Sequence, residues 1–483
     1  MILPILAQIR TVARSGDTIR AWRMLSDAGL LQSDDVEALS LKGRLLKDRA
    51  ARSDATERSA LLAQAQAAYM QAAGVRPATY PLINAATLAF LNGCPDEASR
   101  LARAVLALLD NGNYEPETRY WLAATAAEAH LLLGDRTASQ AALVRAMEAA
   151  PQAWEDHAAT LRQFQQILAR QGASTAIIDP LRPPPSLYFS GIIGLPENED
   201  AAGRQIGEAL DMIGPGAVFG ALAAGADILI AELAAARGAA LHIVLPTALE
   251  AFREASVARF GGRWPRRFDR LMEMAESIDA PQATRELSDA AVAKGSEIAM
   301  GLALRRAEAF ATHAVALHVG RASDPYIASH RLWHGCGLPL RTVTLAQSTP
   351  PQGPPLRTAS NKAILASVVP FAPGLQQSAS GIHYVILDDP AAAMALGEAI
   401  LRTSPGYGLA LEYRTVLPTE PLDGEDGLAL LLAPAAPAGS ICMSWPDAAA
   451  MALHAPGYRF ELAGDVITRQ GDCPVGHYYP SPA

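Results

Sequence analysis

The chain has 483 residues and a formal net charge of −9, and half of its residues are hydrophobic. A chain of this length exceeds what one hydrophobic core usually organises, so we expect roughly three domains. The acidic balance excludes a basic surface for a nucleic-acid backbone, and four widely separated cysteines exclude a disulfide framework or a cysteine zinc site.

The first region, residues 1–178, has the periodicity of amphipathic helices and almost no strand signal. Its first residues lack the pattern of a signal peptide, and the longest apolar tract of the chain is too short for a bilayer. We therefore expect a cytoplasmic protein without a membrane partner.

Two stretches of this region follow one plan, in which a helix stops at a glycine, Gly93 or Gly134, and a second helix starts shortly afterwards. An earlier unit runs from Ala38 to Gly74. The region resembles tetratricopeptide (TPR) repeats, with an insertion, because the two glycines are further apart than the repeat length of about 34 residues. Stacked TPR units leave a concave groove for a protein partner. The alternative is an irregular helical bundle that packs on the next domain.

The second region, residues 186–347, alternates strand and helix patterns, which predicts a mostly parallel, doubly wound sheet. Between the first strand and the strand Leu241–Leu245, small residues in Phe219–Glu232 lead into a helix. The N-terminus of such a helix offers unpaired N–H groups to an anion.

The order of these elements resembles the SLOG superfamily of Rossmann-like nucleotide-binding domains. The resemblance is to the version that follows TPR repeats and is related to the TRAFs-binding region of apoptosis signal-regulating kinases. It implies a nucleotide-derived ligand, and the residues expected to bind it are Ser190, Gly191, Gly220, Ala221, Gly225, Asp227 and Glu232.

Glycines at 220 and 225 permit a close approach of backbone to a phosphate or ribose, and Asp227 is expected to accept hydrogen bonds from ribose hydroxyls. Where related sequences have a second glycine-rich loop, this chain has Asp324 and Pro325, which repel an anion and supply no N–H donor. Two hypotheses stay open: a ligand site, or glycines kept only for packing.

The third region, residues 358–483, has several strands and few helices, which predicts an α+β domain. Three stretches resemble a class III nucleotide cyclase domain, of ferredoxin-like α+β fold: Leu365–Phe371, Ala379–Asp389 and Pro437–Met451. Cyclases hold two metal ions with two aspartates, but this chain has Ser367 and Ser380 at the matching positions. Hydroxyls bind Mg²⁺ far more weakly than carboxylates, so we do not expect cyclase activity.

Two acidic residues, Asp388 and Asp389, precede Pro390 and are read as a helix cap. His330 and His334 have the spacing of a zinc-binding HExxH motif, but arginine replaces its glutamate, so no zinc site is predicted. A local group of arginines is read as a solvated helix face, with anion binding as the alternative: Arg263, Arg266, Arg267 and Arg270. The sequence predicts no catalytic residue, metal ligand or cofactor.

These features favour a non-catalytic signalling or scaffold protein that senses a nucleotide-derived ligand and presents the helical groove to a protein partner. The alternative is an enzyme in which Glu232 or Asp227 attacks or activates a nucleoside N-glycosidic bond, as in the distantly similar deoxyribosyltransferases and phosphoribohydrolases. A third hypothesis is a homodimer formed through the cyclase-like region, by analogy with active cyclases.

Overall fold

The structure is a computed structural model that describes residues 2–14, 17–51, 53–112, 114–195, 199–281, 284–320, 328–345, 356–418 and 427–480. The chain divides into a helical unit, Met1–Pro183, and a sheet-containing unit, Pro184–Pro480. Among the residues described, no helix is both long enough and apolar enough to span a bilayer.

The described part of the first unit is built from α-helices. They are α1 (Ile2–Arg14), α2 (Thr18–Asp27), α3 (Val36–Ala50), α4 (Ala55–Val75), α5 (Thr79–Leu91), α6 (Pro95–Asn111), α7 (Arg119–Leu132), α8 (Arg136–Ala149) and α9 (Trp154–Arg170). Consecutive helices pack as pairs, α3 with α4, α5 with α6 and α7 with α8. This arrangement is helical and TPR-like, as the sequence predicts.

The predicted helix–glycine–helix plan is confirmed at both places. Gly93 and Gly134 adopt φ angles of 84° and 82°, values that glycine reaches without strain. The amides that follow them bond back to the ends of α5 and α7, Cys94 N–H to the Ala89 carbonyl at 2.9 Å and Asp135 N–H to the His130 carbonyl at 3.0 Å. Each glycine thus ends one helix so that the next can fold back on it.

A partly buried polar network joins α3, α5, α7 and α9. Lys47 Nζ donates to Gln163 Oε1 at 2.9 Å, and Gln163 Nε2 donates to Glu128 Oε1 at 2.9 Å. The Thr87 hydroxyl donates to the same carboxylate, and burial raises the pKa of Glu128. These hydrogen bonds link the four helices to one another. We call these four residues the Glu128 network.

The second unit begins with a six-stranded parallel sheet in the order β4-β3-β2-β1-β5-β6. Its strands are β1 (Ser186–Gly191), β2 (Ala217–Gly220), β3 (Ala240–Val244), β4 (Ser277–Asp279), β5 (Ala314–Gly320) and β6 (Leu340–Thr344). Its helices are α10 (Glu199–Ile213), α11 (Ala226–Ala235), α12 (Leu249–Ser256), α13 (Trp264–Met274), α14 (Asp289–Ala309) and α15 (Ala328–Gly335). The predicted parallel sheet is confirmed, although the short strands β2 and β4 were not predicted.

A seven-stranded mixed sheet follows, in the order β12-β13-β11-β10-β7-β9-β8. Its strands are β7 (Ser360–Ser367), β8 (Gln376–Gln377), β9 (His383–Leu387), β10 (Gly408–Val416), β11 (Ser440–Ser444), β12 (Glu461–Thr468) and β13 (Gly471–Tyr478). Its helices are α16 (Pro390–Thr403), α17 (Leu428–Leu432) and α18 (Trp445–His454).

This topology differs from the βαββαβ order of a ferredoxin-like domain, which places a helix between its first two strands. Here β7 and β9 are antiparallel neighbours, and only the short β8 lies between them in the chain. Pro370, Pro373 and Gly374 occupy that connection and disfavour a helix there.

Helix α14 packs against strands of both sheets and along α18. The contact with α18 is so close that a methyl group at Gly301 would overlap the Ala449 carbonyl. Residues from both sheets belong to one hydrophobic core, including Tyr188, Met300, Leu365, Leu411 and Met451. The second and third regions of the sequence therefore share one hydrophobic core, beside further cores of their own.

Hydrogen bonds and an ion pair also join α14 to the elements of the mixed sheet. The buried Glu297 carboxylate on α14 accepts a hydrogen bond from the Tyr413 hydroxyl at 3.0 Å and lies 2.9 Å from His454 Nε2. Lys294, also on α14, pairs with the buried Asp447 of α18 at 2.9 Å. Buried charges are stable only when paired in this way, so the contact between the two sheets is specific.

Candidate functional site

Strand β1 lies between β2 and β5, at the point where the strand order of the parallel sheet reverses. In open sheets of this kind, ligands bind at the carboxyl ends of the strands beside that point. Ser190 and Gly191 end β1, and Ser190 is directly opposite His318 of β5. The predicted residues Ser190 and Gly191 thus occupy the expected edge.

Two histidines converge on Ser190. Its Oγ lies 2.9 Å from His318 Nδ1 and 3.3 Å from Nε2 of His330, which is on α15. The two imidazole rings meet edge to face, with centroids 4.6 Å apart. Ser190 and His318 are half-buried, whereas His330 is 3% exposed. Burial and the neighbouring His318 lower the pKa of His330 to about 4, so its ring is neutral at neutral pH.

Asp227 lies in the first turn of α11 and is 7% exposed. Its Oδ2 accepts a hydrogen bond from the Ala223 amide at 3.3 Å, while its Oδ1 has no hydrogen-bond partner. Burial raises the pKa of Asp227 to about 8. The carboxyl group is therefore protonated at neutral pH and can donate a hydrogen bond, in addition to the acceptor role that the sequence suggested. We call Ser190, Asp227, His318 and His330 the switch-point cluster.

The predicted glycines pack against the chain itself. A methyl group at Gly220 would lie 2.6 Å from the Phe189 carbonyl oxygen, and one at Gly225, where φ is 131°, would lie 2.6 Å from the Ile192 carbonyl oxygen. A methyl group at Gly191 would overlap Ala226. The neighbouring Ala221 packs on the core below α11. These glycines allow close backbone packing beside the cluster.

Amide groups at the start of α11 also have partners within the chain. Ala226 N–H donates to the Ile192 carbonyl at 3.0 Å, and Ala224 N–H donates to the Ser256 carbonyl at 2.9 Å. Together with the Ala223 amide, which donates to Asp227, they leave fewer donors for an anion than a free helix N-terminus provides.

Glu232, the last of the predicted ligand residues, forms an ion pair with Arg267 of α13. Arg267 Nε donates to Glu232 Oε1 at 2.8 Å, and Arg267 also pairs with Glu199 at 2.7 Å. The guanidinium of Arg267 stacks on Trp264 at 4.5 Å, and its side chain is only 16% exposed. The expectation of a solvated face is therefore wrong for Arg267, because α13 packs against α11.

The serines at the cyclase metal positions bond to the protein. Ser367 donates to the Gly408 carbonyl at 3.0 Å and accepts from the Val369 amide at 3.2 Å, and Ser380 lies 2.9 Å from Ser378 Oγ. The predicted cap is confirmed at Asp389, which accepts from the Ala391 amide at 2.9 Å. Asp388 instead pairs with Lys362.

Within the described residues, no group of three or more His, Cys, Asp or Glu side chains could hold a metal ion. The predicted Asp324 and Pro325 lie outside those residues.

The helical unit has a cavity of about 290 Å³ beside the connection between α8 and α9. Its lining residues are Met147, Glu148, Pro151, Trp154, His157, Pro180, Leu181 and Arg182. Trp154 and His157 meet edge to face with centroids 5.4 Å apart, and His157 stacks on Tyr120. Sequence reasoning missed this cavity, because its two sides are separated by the whole of α9.

Sequence reasoning also missed two contacts of Ser190, one with His318 and one with His330. Their contacts with Ser190 join residues 128 and 140 positions apart in the chain. One sequence signal for this contact was available. Both β1 and β5 carry a polar residue near the carboxyl end, Ser190 and His318, and these residues come together if the two strands are neighbours.

Comparison with known proteins identifies the helical unit. Residues 5–89 match the TPR-S family, Tetratricopeptide Repeats-Sensor. One similar structure is the crystal structure of the APC/C hetero-tetramer Cut9-Hcn1, with 12% identity, 37% of this chain and 42% of that chain covered, and a TM-score of 0.21. Another is a mutant of the Thermobaculum terrenum O-GlcNAc transferase, with 14% identity, 63% of this chain and 75% of that chain covered, and a TM-score of 0.17.

No curated protein matches this chain, and the chain spans less than half the length of the first of the two structures. The family match supports TPR repeats in residues 5–89 of the helical unit. Repeats of this kind indicate a protein-interaction or scaffold role.

Proposed function

We propose that this protein is a scaffold that binds another protein through its helical unit and senses a nucleotide-derived ligand at the switch-point cluster. The observation that carries the proposal is the match of residues 5–89 to TPR repeats, together with the paired packing of the helices. Such repeats present a continuous surface to a partner.

The partner surface that we propose is the cavity beside α8 and α9. Its volume of about 290 Å³ suits one or two inserted side chains. Trp154 and His157 offer aromatic surface, and Arg182 offers a cation, a combination that is common in protein interfaces.

The ligand site that we propose uses the switch-point cluster. The groups there are a hydroxyl, two imidazoles and a carboxyl, and both His330 and Asp227 are uncharged at neutral pH. Groups of this kind pair with the hydroxyls and ring nitrogens of a nucleoside. Because the amides of Ala224 and Ala226 are occupied, the ribose and base supply most of the binding contacts.

The partner proposal is tested by crosslinking the intact protein to its partners and mapping the crosslinked peptides by mass spectrometry. We expect crosslinks around α8 and α9, and we expect Trp154→Ala to remove them. Trp121→Ala is the matched control, because Trp121 is also half-buried but does not line the cavity. Crosslinks that are equally abundant in both variants would contradict the proposed surface.

The ligand proposal is tested by thermal shift with paired nucleosides and nucleotides. We expect a nucleoside to raise the melting temperature about as much as its phosphorylated form, and Ser190→Ala to abolish the shift. Ser277→Ala is the control, because Ser277 lies on the edge strand β4, outside the cluster. A panel with no shift, or a shift that survives in Ser190→Ala, would refute a ligand site at this edge.

A further inference from the structure

We propose that Ser190 is a nucleophilic serine that accepts an acyl group, with His318 as its general base. This chemistry goes beyond the scaffold and sensing functions. It also does not depend on them, because it concerns the reactivity of one hydroxyl group.

The first argument is the geometry of the pair. A serine becomes a nucleophile when its hydroxyl is hydrogen-bonded to an adjacent base, at about 2.6–3.2 Å. The Ser190 Oγ to His318 Nδ1 distance of 2.9 Å falls in this range. Both residues lie within paired strands, β1 and β5, so the backbone holds the contact in place.

The second argument is the role of His330. Ser190 faces two imidazole nitrogens, and its hydroxyl also has a hydrogen bond with the Tyr188 side chain. It can donate its one proton to one ring while it accepts from the other. The shorter contact, 2.9 Å, suits O–H donation to His318, and the longer contact, 3.3 Å, suits N–H donation from His330. His330 is buried and neutral. Its N–H group therefore donates to the serine oxygen, which directs the hydroxyl proton towards His318.

The third argument is access. Ser190 and His318 both keep part of their surface exposed, whereas His330 is buried. The pair lies at the carboxyl edge of the sheet, where open α/β sheets carry out their chemistry.

The reaction is an acyl transfer from an activated ester or thioester. Ser190 Oγ forms a bond to the carbonyl carbon, and the bond from that carbon to the leaving oxygen or sulfur breaks. The hydroxyl proton passes to His318 Nδ1 and from there to the leaving group. The products are acylated Ser190 and a free alcohol or thiol.

The test is labelling of the intact protein with a fluorophosphonate, in which the serine oxygen displaces fluoride, followed by mass spectrometry of the peptides. Ser59 is an internal control, because its exposed Oγ donates to Asn92 Oδ1 at 2.8 Å and has no histidine hydrogen bond among the described residues. We expect Ser190 to react at least about 100-fold faster than Ser59, the usual scale of general-base assistance.

Variants locate the base. His318→Gln should slow labelling of Ser190 by about 100-fold, whereas His334→Ala, an exposed histidine one turn from His330, should leave it unchanged. Circular dichroism confirms that each variant is folded. The proposal is overturned if the wild-type protein shows no adduct at Ser190, if Ser59 reacts as fast, or if folded His318→Gln reacts at the wild-type rate.

Discussion

The packing of α14 on α18 makes Gly301→Ala a sharp test of the fold. An added methyl group would overlap the Ala449 carbonyl and lie 2.9 Å from the Ala450 amide nitrogen. Because both are backbone groups, neither can rotate away, and restoring a van der Waals distance of about 3.5 Å requires α18 to move outward by roughly 1.5 Å.

Overpacking of this kind costs about 3 kcal/mol at the upper end of its usual range, and the higher helix propensity of alanine offsets about 1 kcal/mol. We therefore expect the free energy of unfolding of the sheet-containing unit to fall by about 2 kcal/mol, which lowers its melting temperature by about 5 °C.

Calorimetry of the intact protein measures the loss, and hydrogen–deuterium exchange locates it, with faster exchange expected in α14 and α18. The matched control is Gly203→Ala in α10, where an added methyl group meets no atom within 4 Å. This control should raise the stability by up to about 1 kcal/mol. If Gly301→Ala instead behaves like the control, the two helices do not approach as closely as described, and the shared core is refuted.

Three further changes test single side chains. Burial raises the pKa of Asp227 to about 8, so the native state keeps a proton that the unfolded chain releases above about pH 4. Stability should then fall with rising pH up to about pH 8, and thermal melts of Asp227→Asn should show an advantage over wild type that grows from pH 5 to pH 8. A constant difference would contradict this assignment. Glu232→Gln weakens a partly exposed ion pair with Arg267 and should cost at most about 1 kcal/mol. In the nucleoside thermal-shift panel it should leave the response intact, and a lost response would restore Glu232 as a ligand residue. Tyr413→Phe removes a buried hydrogen bond to Glu297 and should cost about 1–2 kcal/mol in urea unfolding, and a neutral result would show that this bond contributes nothing.

Local sequence signals predicted the helices and the parallel sheet well, because they depend on residues close together in the chain. Gly93 and Gly134 terminate helices by their own backbone conformation. The strand β2 was missed because its four residues, Ala217–Gly220, run directly into the glycine-rich turn. Helix α18 was missed because its alanine-rich sequence is buried on most sides and so lacks an amphipathic period.

The candidate site could be predicted only in part. Ser190 and Asp227 lie beside strand and helix ends that are visible in the sequence. The partners that define their chemistry, His318 and His330, come from elements far along the chain, and only the sheet order brings them together. For Glu232, a single sequence gave no sign of the ion pair with Arg267, because that contact depends on how α13 packs.

The position of α14 has a consequence for protein synthesis. The surface of α14 around Gly301 is covered by residues near Ala449, which leave the ribosome much later. At ordinary translation speeds of about 5–20 residues per second, the delay is on the order of ten seconds. During that interval the parallel sheet has formed its strands but exposes apolar surface that only the last part of the chain can cover. A chain that stops early should therefore be a substrate for chaperones and proteases.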